Sequence, residues 1–285
     1  VVTRRKDLDV LHEALNRARE ILRAKLMRAV DDVVARYHRQ QMDELNGQLA
    51  ELRELRAEVH REVERVIQAV KEFEIRARRD LLYAGEREAA TESARLVRER
   101  MGPVPHFPHP HATLDYALSL ADEQAGMALE FGVYTGTTLK IIAQAREGKE
   151  VYGFDSFQGL PEGWRSGFPA GMFTVDGLPD VPGAELVVGW FDDTLPAFLA
   201  EHQGPVAFLH VDADLYSSTR TVLEQVGPRL QPGSVIVFDE FFNYPGWQCH
   251  EYRAWQEYVA KTGVRFKYEA YTIDNEQVVV RVTGT

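Results

Sequence analysis

Leu129-Glu-Phe-Gly-Val-Tyr-Thr-Gly-Thr-Thr138 holds the turn on which the fold of this chain depends. The apolar run from Met127 to Val133 reads as a buried strand, and Thr137 to Ala145 reads as a helix. Gly132 and Gly136 lie between them, with Tyr134 and Thr135 inside the turn. Glycines let backbone pass close to a ligand, and the helix start presents free N–H groups to a carboxylate. The spacing is G-x-x-x-G, so the dinucleotide fingerprint G-x-G-x-x-G is absent. Glu130 adds a counter-charge suited to an ammonium group.

Working outward, Glu150 to Phe154 reads as the next strand, and Asp155 and Ser156 end it. An acid about twenty residues past a glycine turn can accept hydrogen bonds from both ribose hydroxyls. Read alone, Asp155 is a turn or cap aspartate; paired with the glycine turn it points to a nucleoside. The alternation then continues through a strand at Glu185–Val188, a helix at Leu195–Glu201, a strand at Val206–Val211, a helix at Ser218–Leu230, a strand at Ser234–Phe238 and a helix at Glu251–Lys261. Strand–helix alternation predicts a parallel sheet covered on both faces. Two closing strands, Val264–Tyr271 and Gln277–Val282, are joined too closely to be parallel neighbours. That antiparallel ending favours a methyltransferase over a dinucleotide-binding dehydrogenase.

A third set of acids falls where adjacent strands end: Asp212 and Asp214 in His210-Val-Asp-Ala-Asp-Leu-Tyr216, and Asp239-Glu240 after Val235–Phe238. Converging carboxylates repel one another, and a hard divalent cation relieves that repulsion. The alternative is a set of surface aspartates capping the following helices. Phe157 to Phe173, rich in Gly and Pro, reads as a lid, with Trp164 and Phe168 either stacking on a ring of the ligand or forming the lid's own small core.

The first hundred residues differ in kind. Between residues 5 and 100 there is no proline, and Glu, Arg, Ala and Leu dominate. Leu45, Leu49, Leu52, Val59, Val63 and Val66 begin a seam that runs to Phe73, and an earlier one starts at Leu8, Leu11 and Leu15. Steps of four and three are those of a coiled coil that joins two copies of the chain; a bundle packed on its own domain is the alternative. Asn46-Gly47 is either the turn of a helical hairpin or a weak point in one long helix. Met101 to His111 holds four prolines and a glycine and is expected to be a linker between a helical region (1–100) and a catalytic domain (112–285). His106, His109 and His111 within it lack the Cys or acidic neighbours of a metal site.

Charge follows the same division. Residues 1–100 hold 22 Lys/Arg against 20 Asp/Glu, and the remainder 11 against 24. A domain this acidic is not built to grip nucleic acid. There is no apolar run of membrane-spanning length, Val1 to Asp9 lack the apolar core of a signal peptide, and Cys249 is the single cysteine. The expectation is a cytoplasmic protein without a nucleic-acid or membrane partner.

With these motifs in place, residues 127–285 resemble the macrocin O-methyltransferase family. The strings that carry the resemblance are Glu130-Phe-Gly-Val-Tyr-Thr-Gly136, Phe154-Asp-Ser-Phe-Gln-Gly-Leu-Pro161, Asp193-Thr-Leu-Pro196, Asp212-Ala-Asp-Leu-Tyr-Ser-Ser-Thr219 and Pro232-Gly-Ser-Val-Ile-Val-Phe-Asp239. The resemblance implies a Rossmann-like class I fold, S-adenosylmethionine and magnesium as cofactors, and methylation of a sugar or polyol hydroxyl on a small molecule. A catechol-like phenol is an alternative acceptor, and an assembly factor with a degenerate fold an alternative function. Glu130, Gly132, Tyr134, Thr135, Gly136, Asp155, Ser156 and Asp192 are then the expected cofactor contacts. Asp212 and Asp239 match the family's metal aspartates, and Asp214 its proposed base. Glu240 stands where the family has a second Asp and is expected to be the third ligand. Phe241 to Glu251 is only partly family-like, and His250 there is the second candidate for base.

Overall fold

The computed structural model describes the backbone of residues 2–122 and 126–284, and side chains from Glu13 onward within those ranges. The chain divides into two compact units, residues 1–78 and 79–285.

The first unit is one helix, α1 (Val2–Arg79), which runs through Asn46-Gly47 without a turn. At 1.5 Å per residue, its 78 residues extend about 117 Å. The seam residues stand in the open: Leu49 is 42% exposed, Leu52 61% and Val66 61%. Leu8 and Leu11 lie outside the described side chains. No helix among the described residues is long and apolar enough to cross a membrane.

The second unit begins at residue 79, earlier than the boundary expected from the proline-rich stretch. Asp80 starts α2 (Leu81–Leu96) by accepting from Leu82 N–H and Tyr83 N–H. Ala89, Ser93 and Met101 are buried in this unit, which is why α2 belongs to it. The proline-rich stretch is not a bare linker. His106–Phe107 form β1, and Pro110 opens α3 (Pro110–Leu120) at a position where its missing N–H costs nothing.

Beyond Gly126 the order is β2 (Met127–Phe131), α4 (Thr137–Ala145), β3 (Val151–Asp155), β4 (Glu185–Val188), α5 (Phe191–Glu201), β5 (Val206–Val211), α6 (Tyr216–Val226), β6 (Leu230–Phe238), α7 (Glu251–Thr262), β7 (Arg265–Thr272) and β8 (Val278–Gly284). Most lie within a few residues of their expected places. The larger shifts are at α5, which starts four residues early at Phe191, and at β6, which takes over Leu230 from the expected end of α6.

Among the described residues, eight strands form one sheet in the order β1-β7-β8-β6-β5-β2-β3-β4. β2 pairs in parallel with β3 on one side and β5 on the other, so the chain reverses direction across the sheet there. Ligands of such sheets bind at the carboxyl ends of the strands flanking that reversal. β8 runs antiparallel between β6 and β7, as the closing strand pair predicts. The two faces bury separate cores. One carries Leu114, Ala117, Leu139 and Ile142 from α3 and α4, and the other Leu195, Phe198, Val222 and Trp255 from α5, α6 and α7. Close approach of α4 to the sheet depends on Gly153 in β3, where a Cβ would lie 2.4 Å from Leu139 Cδ2.

Candidate functional site

The carboxyl edge at the reversal is drawn tight by backbone hydrogen bonds. Gly132 N–H donates to Phe154 C=O, Asp212 N–H to Phe131 C=O, and Asp239 N–H to Val211 C=O. Gly132 adopts φ +94°, and a Cβ on it would lie 1.7 Å from the Asp212 carbonyl oxygen. Its glycine is therefore required by strand-to-strand contact. Asp155 Oδ2 accepts from Val133 N–H and Tyr134 N–H, each at 2.8 Å, and its Oδ1 accepts from Phe157 N–H at 2.7 Å. The acid at the end of β3 thus shapes the loop after β2 and still faces a cavity of about 650 Å³. Gly132, Tyr134, Asp155, Ser156 and Asp192 all line that cavity.

Three expected cofactor contacts are placed otherwise. Thr135 is exposed, with its hydroxyl 3.3 Å from that of Thr137. Gly136 packs against Val181 and Pro179. Glu130 is fully buried, with Oε1 2.8 Å from His210 Nδ1, so its carboxylate serves the imidazole.

Next to this lies the acid edge. Glu130 on β2 and His210 on β5, both buried, and the partly exposed Asp239 after β6 form a line across adjacent strands. His210 Nε2 is 3.4 Å from Asp239 Oδ1, and Asp239 Oδ2 accepts from Gln277 Nε2 at 3.0 Å. Ligand atoms of His210, Asp212 and Asp239 all lie within 4.8 Å of one another. Glu240 faces the cavity close by, and its Oε2 is buried without a hydrogen-bond partner. Glu251, at the start of α7 and fully buried, accepts from Ala213 N–H and Glu240 N–H and so ties the two acid-bearing loops together.

Electrostatics follows from this crowding. Burial, then the Asp239 charge, pushes Asp212 well above the usual carboxylate range. Glu240 is raised well above it by burial and by Asp214. Asp214 is raised to about 7, by burial first and Asp239 second, with Arg165 pulling it back. Burial alone would raise Asp239 too, but its hydrogen bond and charge attraction to His210 outweigh that and lower it. The His210 imidazole is held well above its ordinary value, because its two carboxylate partners overcome the desolvation that opposes its charge. The carboxylates of Asp212 and Asp239, close to one another, and the unpartnered Oε2 of Glu240 nearby offer the oxygen donors that a hard divalent cation takes. Asp214 lines the same cavity at φ +56°, past the end of β5.

The remaining wall is aromatic. Trp164, Phe168 and Phe173 come from the loop between β3 and β4, where Leu160 exchanges backbone hydrogen bonds with Gly171 and Met172. Trp164 meets Phe168 edge-on at 5.1 Å, so these rings form a small core and line the cavity at once. His250 does not line the cavity; it lies behind Trp164, its ring 6.4 Å away. Its place as second candidate for base is not supported by that position.

His210 and Glu251 were absent from the residues singled out in the sequence. His210 carries one legible signal: it lies two residues before Asp212 on a strand, hence on the same face. Glu251 carries none, since its contacts depend on how α7 returns to the sheet.

Residues 129–241 match the family model described as "Methyltransferase domain". Two curated relatives are each 30% identical. One is the 8-demethyl-8-(2,3-dimethoxy-alpha-L-rhamnosyl)-tetracenomycin-C 4'-O-methyltransferase of Streptomyces olivaceus, matched over 43% of this chain and 55% of that protein. The other is the mycinamicin III 3''-O-methyltransferase of Micromonospora griseorubida, matched over 47% and 63%. The chain thus spans less than two thirds of the length of these relatives. A crystal structure of a calicheamicin methyltransferase shares the fold, with a TM-score of 0.50 and 24% identity over 68% of this chain and 91% of its own.

Proposed function

We propose that this chain, whose residues 129–241 match a methyltransferase-domain model, moves a methyl group from S-adenosylmethionine to a hydroxyl of a sugar or similar polyol. One observation carries the reading: Asp155 and the acids Asp212, Asp214 and Glu240 line a single cavity. Sugar O-methylation by the relatives named above supports the choice of acceptor.

In this reading Tyr134, Asp155, Ser156 and Asp192 hold the methyl donor. Asp212 and Asp239 would hold a magnesium or similar divalent ion, with Glu240 as its third ligand. The ion supplies positive charge that lowers the acceptor hydroxyl's pKa. Asp214, raised above the usual carboxylate range chiefly by burial, would accept the proton. The donor would supply an activated sulfonium methyl group to that oxygen, with S-adenosylhomocysteine as the leaving group. The aromatic loop keeps water from the reacting atoms. Methyl transfer to glycosylated natural products, assayed before and after exhaustive chelation, tests the proposal. Transfer that disappears with the metal and returns with magnesium is expected; full transfer without metal would overturn the role given to Asp212 and Asp239.

The proposal extends to α1. An apolar seam at four-and-three spacing, two residues wide and open along most of a 78-residue helix, suits the same helix of a second copy. Both charge signs are mixed on its polar face, which argues for a protein partner over an anionic surface.

A further inference from the structure

Charge is divided along α1. Residues 13–39 hold seven Lys/Arg against four Asp/Glu, and residues 43–64 hold three against seven. The apolar stripe, by contrast, runs through both stretches. From Leu15 to Val70 an apolar residue recurs about every 3.6 residues, with a break at Gln41. That period is the turn of an α-helix, so both stretches carry the stripe on one face. Toward its C-terminal end a shallow groove is lined by Leu55, Val59, Val63 and Val66 together with the acids Glu58 and Glu62. Toward its N-terminal end, Arg19 stands one turn from Leu15 and from Leu22, and Arg23 one turn from Leu26. The apolar side chains at both ends are exposed.

We propose that two copies of α1 pair in opposite directions, the basic end of each lying along the acid-lined groove of the other. This pairing rests on the assignment of α1 to self-association and adds its direction and register. In a parallel pair in register, each stretch lies beside its own counterpart, so like net charge meets like. Reversal sets residues 13–39 of one copy against residues 43–64 of the other, and opposite charge meets along both halves. Complementary charge of this kind fixes orientation and register more than it adds affinity. A reversed copy with Leu22 across from Val59 also brings Leu15 across from Val66 and Leu26 across from Leu55. The same register sets Arg19 across from Glu62 and Arg23 across from Glu58, and two-fold symmetry makes each contact twice. Glu62 already meets Arg65 of its own helix, but both side chains of that pair are exposed, and it yields at little cost. An anionic lipid surface would suit the basic end and repel the groove, whereas a second copy satisfies both.

The test uses the full chain. Cys249, the single and exposed cysteine, is first replaced by Cys249→Ser. Leu22→Cys and Val59→Cys are then introduced singly, and a bis-maleimide is applied to each protein alone and to the two mixed after subunit exchange. Residues 22 and 59 lie about 55 Å apart along one helix. A reversed pair therefore cross-links in the mixture and leaves each protein alone uncoupled, which is the expected result. Two charge variants, Arg19→Glu with Arg23→Glu and Glu58→Arg with Glu62→Arg, should each self-associate roughly ten-fold more weakly by sedimentation. A chain with all four changes should recover the wild-type association, and circular dichroism checks that α1 stays helical in each. Cross-linking of either cysteine variant to itself overturns the reversed pairing in favour of a parallel one. So does self-association that is unchanged in both charge variants or not recovered in the four-fold one. A wild type that stays monomeric, or floats as a monomer with phosphatidylserine vesicles, is a different failure. It removes α1 from any interface between copies.

Discussion

Asp214 occupies a left-handed backbone conformation, φ +56°, in the turn that follows β5. Side chains other than Gly, Asn and Asp are strained there. Asparagine tolerates that geometry, so Asp214→Asn removes the proton acceptor and little else. Turnover is expected to fall by roughly 100- to 10,000-fold, with calorimetric affinities for S-adenosylhomocysteine and magnesium preserved. Loss of either affinity would show that Asp214 organises the site and does not act as its base. The acids of this site were legible in the sequence because each ends a strand: Asp155, Asp212 and Asp239 follow short apolar runs whose type is unambiguous. Their partners were not. The link from Glu130 to His210 needs the pairing of β2 with β5, in which these two residues stand opposite each other. No local pattern announces which distant strand becomes a neighbour.

Among the elements, α2 shows how a helix outside the sheet can fix the site. Its Ser93 hydroxyl, buried, accepts from Asn243 N–H in the loop that follows Asp239-Glu240. Ser93→Ala leaves that partly buried N–H without its partner, at a cost of about 1–3 kcal/mol. Thermal melting should shift down by about 2–4 °C for each kcal/mol lost in a domain of this size. An unchanged melting temperature would mean that water reaches Asn243 and the contact is dispensable. The strands and most helices were readable because their periods and flanking glycines agree. β1 was hidden inside a proline-rich stretch whose composition suggests a linker, and α3 begins at that stretch's end; only pairing with β7 makes His106–Phe107 a strand. The Thr113 hydroxyl then meets that of Thr272 at 2.7 Å, a tie between α3 and β7 that sequence spacing cannot express.

At the scale of the whole molecule, the division at residue 79 dictates where to cut. A chain starting at Asp80 retains α2 and the Ser93 contact, whereas one starting at Met101 loses both. Light scattering should report a self-associated full chain and a monomeric 80–285 fragment that still binds S-adenosylhomocysteine. Equal subunit counts for the two would remove α1 from the interface. The order of strands has a further consequence, for synthesis. β2, α4 and β3 are contiguous in the chain and can pair as soon as they are made. β6 must wait for β8 to cover its edge, and β1 must wait for β7. Asp239 receives its hydrogen bond from Gln277, and Phe241 N–H finds Glu276 C=O, only when the segment before β8 has emerged. Pairings so distant along the chain form late. On the ribosome, the half of the sheet that would cradle the methyl donor is complete before the half that would seat the acceptor exists. A chain released before that segment would carry the acids on a β6 whose edge is uncovered, with Asp239 lacking its Gln277 donor.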